Sequence, residues 1–244
     1  MDLIKVKGIV IKETPYKDND KIITLLTDKL GKISCMAKGC KRTKSPILAN
    51  CQYLVYSEFV LSRSNTFYYV NSASVIKTFY KFRTDFDNLQ IGFELTRILQ
   101  TITDENQDTS EILRLLLNTI YVLENIDKDP KLVVAAFKVK LFTLLGFSPR
   151  VDKCNMCGQA FKEDREMLAN EGVYYDYVSN VFCCSNCVKN LDKRRYIKIT
   201  EATIIAIKYV VICEINKTFS FNIKDIDNFY LFSQVFTDTM TNGI

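Results

Sequence analysis

Two short motifs, Cys154-Asn155-Met156-Cys157 and Cys184-Ser185-Asn186-Cys187, constrain this chain more than any other feature. Each is a C-x2-C knuckle, and the 26 residues between them give the spacing of a zinc ribbon or treble-clef-like site. A tight turn after the first cysteine of a pair lets both sulfurs point at one ion. Gly158 relieves the backbone there, and two such turns complete a tetrahedron. The chain is therefore expected to hold one structural zinc ion through Cys154, Cys157, Cys184 and Cys187. Cys183 offers a competing C-x3-C spacing with Cys187; the symmetric spacing favours Cys184. A redox dithiol would share the C-x2-C pattern, but no thioredoxin-like βαβ unit surrounds either motif. A closed four-thiolate site fixes structure and leaves no position at which to activate water.

The chain of 244 residues contains nine cysteines and no histidine. The missing imidazole excludes Ser-His-Asp and Cys-His nucleophilic catalysis and every metal site that needs histidine. An odd cysteine count argues against a disulfide framework, and Cys35, Cys40, Cys51 and Cys213 read as ordinary thiols. The opening MDLIKVKGIVIKE interleaves lysines with apolar residues, so no signal peptide is expected, and no apolar run reaches the roughly 18 residues of a membrane span. A cytoplasmic location is the resulting expectation.

An α+β multidomain fold is predicted. Residues 1–80 break into five segments rich in β-branched and aromatic residues, IKVKGIVIKE, DKIITLLTD, KISCMAKGCK, YLVYSEFVLS and FYYVNSASVIK. Five strands in that length match an OB-fold barrel. Gly8 is read as a bulge at which the apolar face of the first strand switches from Ile4 and Val6 to Ile9 and Ile11. Residues 81–150 turn helical. Ile91, Leu95, Ile98, Leu99 and Ile102 form one stripe; Ile112, Leu113, Leu116, Leu117, Ile120 and Leu123 a second; Phe137, Leu141, Leu144 and Leu145 a third. Gly146 and Pro149 close the third helix. The four-cysteine zinc module occupies 151–195 as an insertion in the helical domain. That domain resumes at 196–244, with Thr200 as an N-cap, a stripe of Ile204, Ile207, Val211 and Ile215, and another from Ile226 to Phe236.

Charge is distributed unevenly. Residues 1–81 hold 14 Lys and Arg against 6 Asp and Glu, whereas residues 82–244 hold 19 against 22. Polyanion binding is thus expected at the front of the chain. The cations concentrate in Lys38-Gly39-Cys40-Lys41-Arg42-Thr43-Lys44-Ser45, where Gly39 permits a turn and two hydroxyls add donors able to track consecutive phosphates. Lys38, Lys41, Arg42 and Lys44 are the candidate DNA contacts, with Lys21 beside them and Lys5, Lys7 and Lys32 widening the surface. Tyr16, Tyr53, Tyr56, Phe67, Tyr68 and Tyr69 supply aromatics, most of them expected in the barrel core.

The run GIVIKETPYKDNDKIITLLTDKLGKISCMAKGCKRTKS resembles the N-terminal signature of the RecO family of bacterial recombination mediators, in its D-K-I-I-T-L-L-T second strand and its A-K-G-x motif followed by paired cations. The likeness extends through VIKTFYKFRTDF and FELTRIL to LFTLLGFSP, and the cysteine pairs stand where zinc-bearing members have theirs. The resemblance implies an OB barrel, a helical domain and a zinc module. It also implies binding of single- and double-stranded DNA, annealing of complementary strands, and work with RecR and the C-terminal tail of SSB to load RecA. The family's phosphate-contacting positions carry over onto Lys38 and Arg42; Lys41 and Lys44 are added from charge and spacing.

No catalytic residue, nucleotide-binding loop or small-molecule substrate is expected. A DNA-processing hydrolase would need a carboxylate cluster or an open metal site. An OB and zinc-ribbon adaptor that binds protein only remains the other reading, distinguished by failure to bind single-stranded DNA at low salt.

Overall fold

A computed structural model describes residues 3–65, 67–161, 172–189, 191 and 193–242. Residues 162–171, within the module placed at 151–195, lie outside the described residues. The chain divides into two compact units, Met1–Asn125 and Ile126–Ile244.

The first unit is built on a closed barrel of strand order β1-β2-β3-β5-β4. Its strands are β1 (Leu3–Tyr16), β2 (Asp20–Thr27), β3 (Lys32–Ala37), β4 (Tyr56–Ser64) and β5 (Phe67–Lys77). The barrel closes because β1 is long enough to serve two neighbours. Its first half pairs with β4, from Leu3 opposite Ser62 to Ile9 opposite Tyr56, and its second half pairs with β2, from Gly8 opposite Thr27 to Tyr16 opposite Asp20. The remaining seam is a short parallel pairing of Cys35 with Tyr68 and Met36 with Tyr69. Val6, Val10, Ile23, Leu25, Ile33, Cys35, Phe59, Leu61 and Tyr68 fill the interior.

The expected face switch at Gly8 does not occur. Ile4, Val6 and Val10 all face the barrel core, and the register shift lies between Val10 and Lys12. Ile9 and Ile11 are buried as well, but on the outer face, where Val10 exchanges backbone hydrogen bonds with Leu54 and Val55 and Gln100 donates to the Ile11 carbonyl. A strand covered on both faces carries a continuous apolar run, which imitates a switch of alternation. Gly8 is needed for closeness instead: a Cβ there would lie 3.1 Å from the Leu26 carbonyl oxygen and 3.3 Å from Thr27 Cγ2.

Three helices complete this unit: α1 (Tyr80–Thr84), unanticipated in the sequence, α2 (Phe86–Ile102) and α3 (Ser110–Asn125). Asp85 caps α2 by accepting from the Asn88 N–H at 2.9 Å. Leu95, Ile98, Leu99 and Ile102 are buried as expected, as are Ile112, Leu113, Leu116 and Ile120 of α3. The β2–β3 turn is bonded to the α2–α3 connection, with Lys32 N–H on the Asp104 carbonyl, Asn106 N–H on the Leu30 carbonyl and the Thr109 hydroxyl on the Thr27 carbonyl. Gly31 makes this approach possible, at φ +70° and with a Cβ position only 2.1 Å from the Asp104 carbonyl oxygen. Gly31→Ala should therefore combine backbone strain with a clash and cost at least about 2 kcal/mol, read as a lowered denaturant midpoint.

In the second unit α4 (Pro130–Leu144) is the central element. Every residue from Leu132 to Phe142 is buried, so the expected single stripe is too narrow, and Leu144 and Leu145, expected on it, are only half-buried. A helix apolar on all sides is covered on all sides. Around it stand β6 (Val173–Asp176), β7 (Val181–Cys184), the one-turn α5 (Ser185–Val188), β8 (Tyr196–Ile199), α6 (Glu201–Ile212) and α7 (Ile226–Asn242). The strands form a sheet of order β7-β6-β8. Thr200 caps α6 through the Thr203 N–H, and α6 stops at Ile212, leaving Ile215 in a separate 3-10 turn. Lys140, buried within α4, donates to the Val210 carbonyl at 3.2 Å and the Cys213 carbonyl at 2.5 Å. Its ammonium thus satisfies orphan carbonyls at the C-terminus of α6, where positive charge is favoured. Among the described residues no helix is long and apolar enough to cross a membrane.

Candidate metal centre and nucleic-acid interface

The sulfurs of Cys154, Cys157, Cys184 and Cys187 all lie within 4.8 Å of one another. Cys157 and Cys184 are 3.8 Å apart. A tetrahedron with metal–sulfur bonds of about 2.3 Å has edges of about 3.8 Å, so the donor set fits a thiolate-bound divalent ion. The backbone explains the convergence. Gly158, at φ +75°, returns its N–H to the Cys154 carbonyl at 2.9 Å, and the Cys154 N–H reaches the Gln159 carbonyl at 2.8 Å. Asn155 N–H bonds the Phe182 carbonyl at 2.9 Å, tying the first knuckle to β7. Cys184 ends β7 and begins α5, whose single turn carries Cys187 back toward it. Cys183 is opposite Tyr174 in the ladder, and strand alternation keeps it out of the four-sulfur group. Burial pushes its thiol up to about 11.

Cys154, Cys184 and Cys187 differ in how readily they ionise. Burial would raise Cys154, but the N–H groups of Cys184, Cys157 and Met156 outweigh it and bring the thiol down to about 6. Cys187 moves the other way, chiefly because its thiol hydrogen-bonds Cys184, and burial raises Cys184. Without a cation Cys154 is thus biased toward its thiolate while Cys184 and Cys187 are biased toward their protonated forms. A bound cation removes that conflict, at the cost of displacing protons.

The basic loop lies on the other unit. β3 ends at Ala37, and residues 38–45 coil through two turns, Arg42 N–H to the Gly39 carbonyl at 3.2 Å and Ser45 N–H to the Arg42 carbonyl at 2.9 Å. Gly39 takes φ +65° and gives its N–H to Asp20 Oδ1 at 2.7 Å, while Lys41 N–H bonds the Asn19 carbonyl. Cys40 and Cys51 are completely buried and pin the segment to the barrel. Burial raises both thiols, that of Cys51 to about 12, so they act as apolar plugs. Lys38, Lys41, Arg42 and Lys44 are exposed and, among the described residues, make no ion pair. Lys38 Nζ stands 5.0 Å from the centre of the Tyr69 ring. Ile22, Met36 and Tyr69 are adjacent in register on the outer face, so Lys38 tops a row of half-buried apolar side chains.

Three of the other candidate lysines are engaged within the protein. Lys21 is ion-paired with Glu13 on β1, and its side chain is only 17% exposed. Lys5 pairs with Glu58 at 2.8 Å, and Lys32 donates to the Gln100 carbonyl at 2.5 Å. Of the six aromatics expected mostly in the core, only Tyr68 belongs to it. Phe67 and Tyr16 are exposed, Tyr69 faces outward, and Tyr53 stacks on Phe93. The correction follows from strand parity, which sends residues 67 and 69 out when 68 points in.

Residues 1–79 match the family described as recombination protein O N terminal, and residues 83–225 match recombination protein O C terminal. The DNA repair protein RecO of Acetivibrio thermocellus is 36% identical over 225 residues, covering 92% of this chain and 86% of that protein. RecO of Caldicellulosiruptor saccharolyticus is 32% identical over 205 residues, covering 84% and 80%, and RecO of Alkaliphilus metalliredigens 32% over 170 residues, covering 70% and 69%.

Proposed function

Since this chain belongs to the recombination protein O family, whose members include DNA repair proteins named RecO, we propose that it binds single- and double-stranded DNA and anneals complementary strands. The observation that carries this reading is the loop from Lys38 to Lys44, whose four exposed cations make no ion pair among the described residues. Annealing is opposed by the repulsion of two polyanions and by protein coating each strand. Cations on one surface neutralise phosphates and release condensed counterions, which lowers the first barrier while leaving base edges free. With RecR, and through the C-terminal tail of SSB, the protein would assist loading of RecA on SSB-coated single strands and so meet the second. It acts in the cytoplasm at the nucleoid, without cleaving bonds. The four cysteines hold one structural zinc, a closed site that keeps the 151–195 module folded between the helical segments 81–150 and 196–244 and takes no part in chemistry.

Two measurements test the reading. Neutralising Lys38 and Arg42 together should weaken binding to all sequences alike and flatten the salt dependence on single strands, by roughly 0.7 in slope per lost phosphate contact. The pairing rate of two labelled complementary oligonucleotides in nucleotide-free buffer should rise with protein, fall with salt in parallel with binding, and fall in the same double variant. Equal rates with and without saturating protein would overturn annealing, and an unchanged slope in the double variant would overturn the assignment of the loop.

A further inference from the structure

The loop supplies charge but little flat surface. Elsewhere in the same unit, a cleft of about 630 Å3 opens between the second half of β1 and α2, with Lys12, Tyr53, Arg83, Phe93 and Arg97 in its lining. The rings of Tyr53 and Phe93 stack, with centroids 4.8 Å apart and planes 16° from parallel. The Tyr53 hydroxyl is held by Thr96 at 2.7 Å, which fixes the pair, while Phe93 remains 54% exposed.

The charges around this aromatic step are unbalanced. The carboxylate in the lining, Glu13, is already engaged by Lys21 and by the Tyr53 N–H. Lys12 and Arg97 are exposed, and Arg83 is half-buried with Gln52 Oε1 at 2.7 Å as its neutral partner. Three cations therefore line the cleft that holds this flat apolar ring. The matching ligand carries a planar ring and an anion side by side, which is the composition of a nucleotide unit.

Continuity with the basic loop favours a DNA strand over an acidic peptide. One connecting segment, residues 38–53, supplies both the loop and Tyr53. The Lys41 ammonium reaches the Lys17 carbonyl at 3.4 Å, just beyond the end of β1, and Lys12 stands five residues back along that strand. At about 3.3 Å per residue the separation is about 16 Å. A strand of the length an OB barrel occupies, about 4–16 nucleotides, spans that distance.

We propose that the cleft between β1 and α2 seats bases of a single DNA strand held on the Lys38–Lys44 loop, with a base stacked on Phe93 and neighbouring phosphates met by Lys12, Arg83 and Arg97. The inference rests on the loop being the DNA-binding face. It makes the cleft a single-strand site, because a duplex keeps its bases stacked on each other and offers none to Phe93.

The test uses the full, metal-loaded chain, fluorescence anisotropy with labelled oligothymidylates, and a duplex of equal length. Phe93→Ala should weaken single-strand binding about 5- to 150-fold, the range for one stacked base, leave the salt slope unchanged and leave duplex affinity unchanged. Phe93→Trp should restore affinity. Arg97→Gln, at an exposed position, should instead lower the slope by roughly 0.7. If Phe93→Ala keeps full strand affinity while the Lys38 and Arg42 double variant loses it, the cleft proposal falls and the loop assignment stands. If neither variant binds less, both fall. An equal loss on single strand and duplex, or loss of binding to a labelled acidic peptide with strand affinity intact, also overturns the proposal.

Discussion

Cys154→Ser is expected to abolish metal retention and to unfold the three-stranded sheet with the knuckles around it. Cys154 is completely buried within the four-sulfur group, and its sulfur accepts the Cys184 N–H at 3.3 Å. The surrounding N–H groups select the thiolate at this position, and a serine hydroxyl does not ionise there. Structural zinc contributes an apparent ~10–16 kcal/mol to small zinc modules at neutral pH, more than a three-stranded sheet of four-residue strands supplies by itself. Elemental analysis should find about one zinc per chain in the native protein and none in the variant, with rapid proteolysis after residue 151. Cys183→Ser, one position from a ligand but outside the sulfur group, should retain the metal. Burial and thiol–thiol hydrogen bonding raise Cys184 and Cys187, so metal uptake displaces protons and affinity should fall as the pH is lowered. Full zinc occupancy in Cys154→Ser, or zinc loss in Cys183→Ser, would refute the ligand set.

Phe236→Ala should cost about 3–5 kcal/mol, seen as a lower unfolding midpoint with the metal still bound under native conditions. Phe236 is completely buried on α7. It stacks on Phe232 at 5.5 Å and meets Phe142 of α4 edge-on at 5.6 Å and Tyr175 of β6 at 6.4 Å. One ring thus touches the central helix and the sheet beside the metal site. A cost below about 1 kcal/mol would show that other contacts join the sheet to the helices.

Legibility in the sequence followed the range of the interactions. The barrel and the longer helices were readable because alternation and helical periodicity are local signals, and Thr200 and Gly146 mark their helix ends within a few residues. The cysteine pairs were readable because the spacing within each knuckle is itself the turn geometry. The face switch assigned to Gly8 fails because Ile9 and Ile11 are buried on a stretch of β1 whose backbone is hydrogen-bonded by residues 54, 55 and 100, far along the chain. The ion pair of Lys21 has no local signal, because its partner, Glu13, reaches it only through the β1–β2 ladder. The stacking of Tyr53 on Phe93 gives no signal, since the two residues are 40 positions apart and nothing local to either segment shows that their rings meet.

The double service of β1 also orders events in time. Its pairing with β2 is a local hairpin, available as soon as residues 8–27 exist, and β3 adds to it after a four-residue turn. The other edge of β1 waits for β4, beginning at residue 56, and the parallel seam of β3 with β5 waits for residue 69. Closing loops of such length is slow compared with forming a hairpin. During synthesis, then, a three-stranded precursor with two bare edges precedes the barrel, and the short β3–β5 seam is the step that ends its exposure to strand-to-strand aggregation.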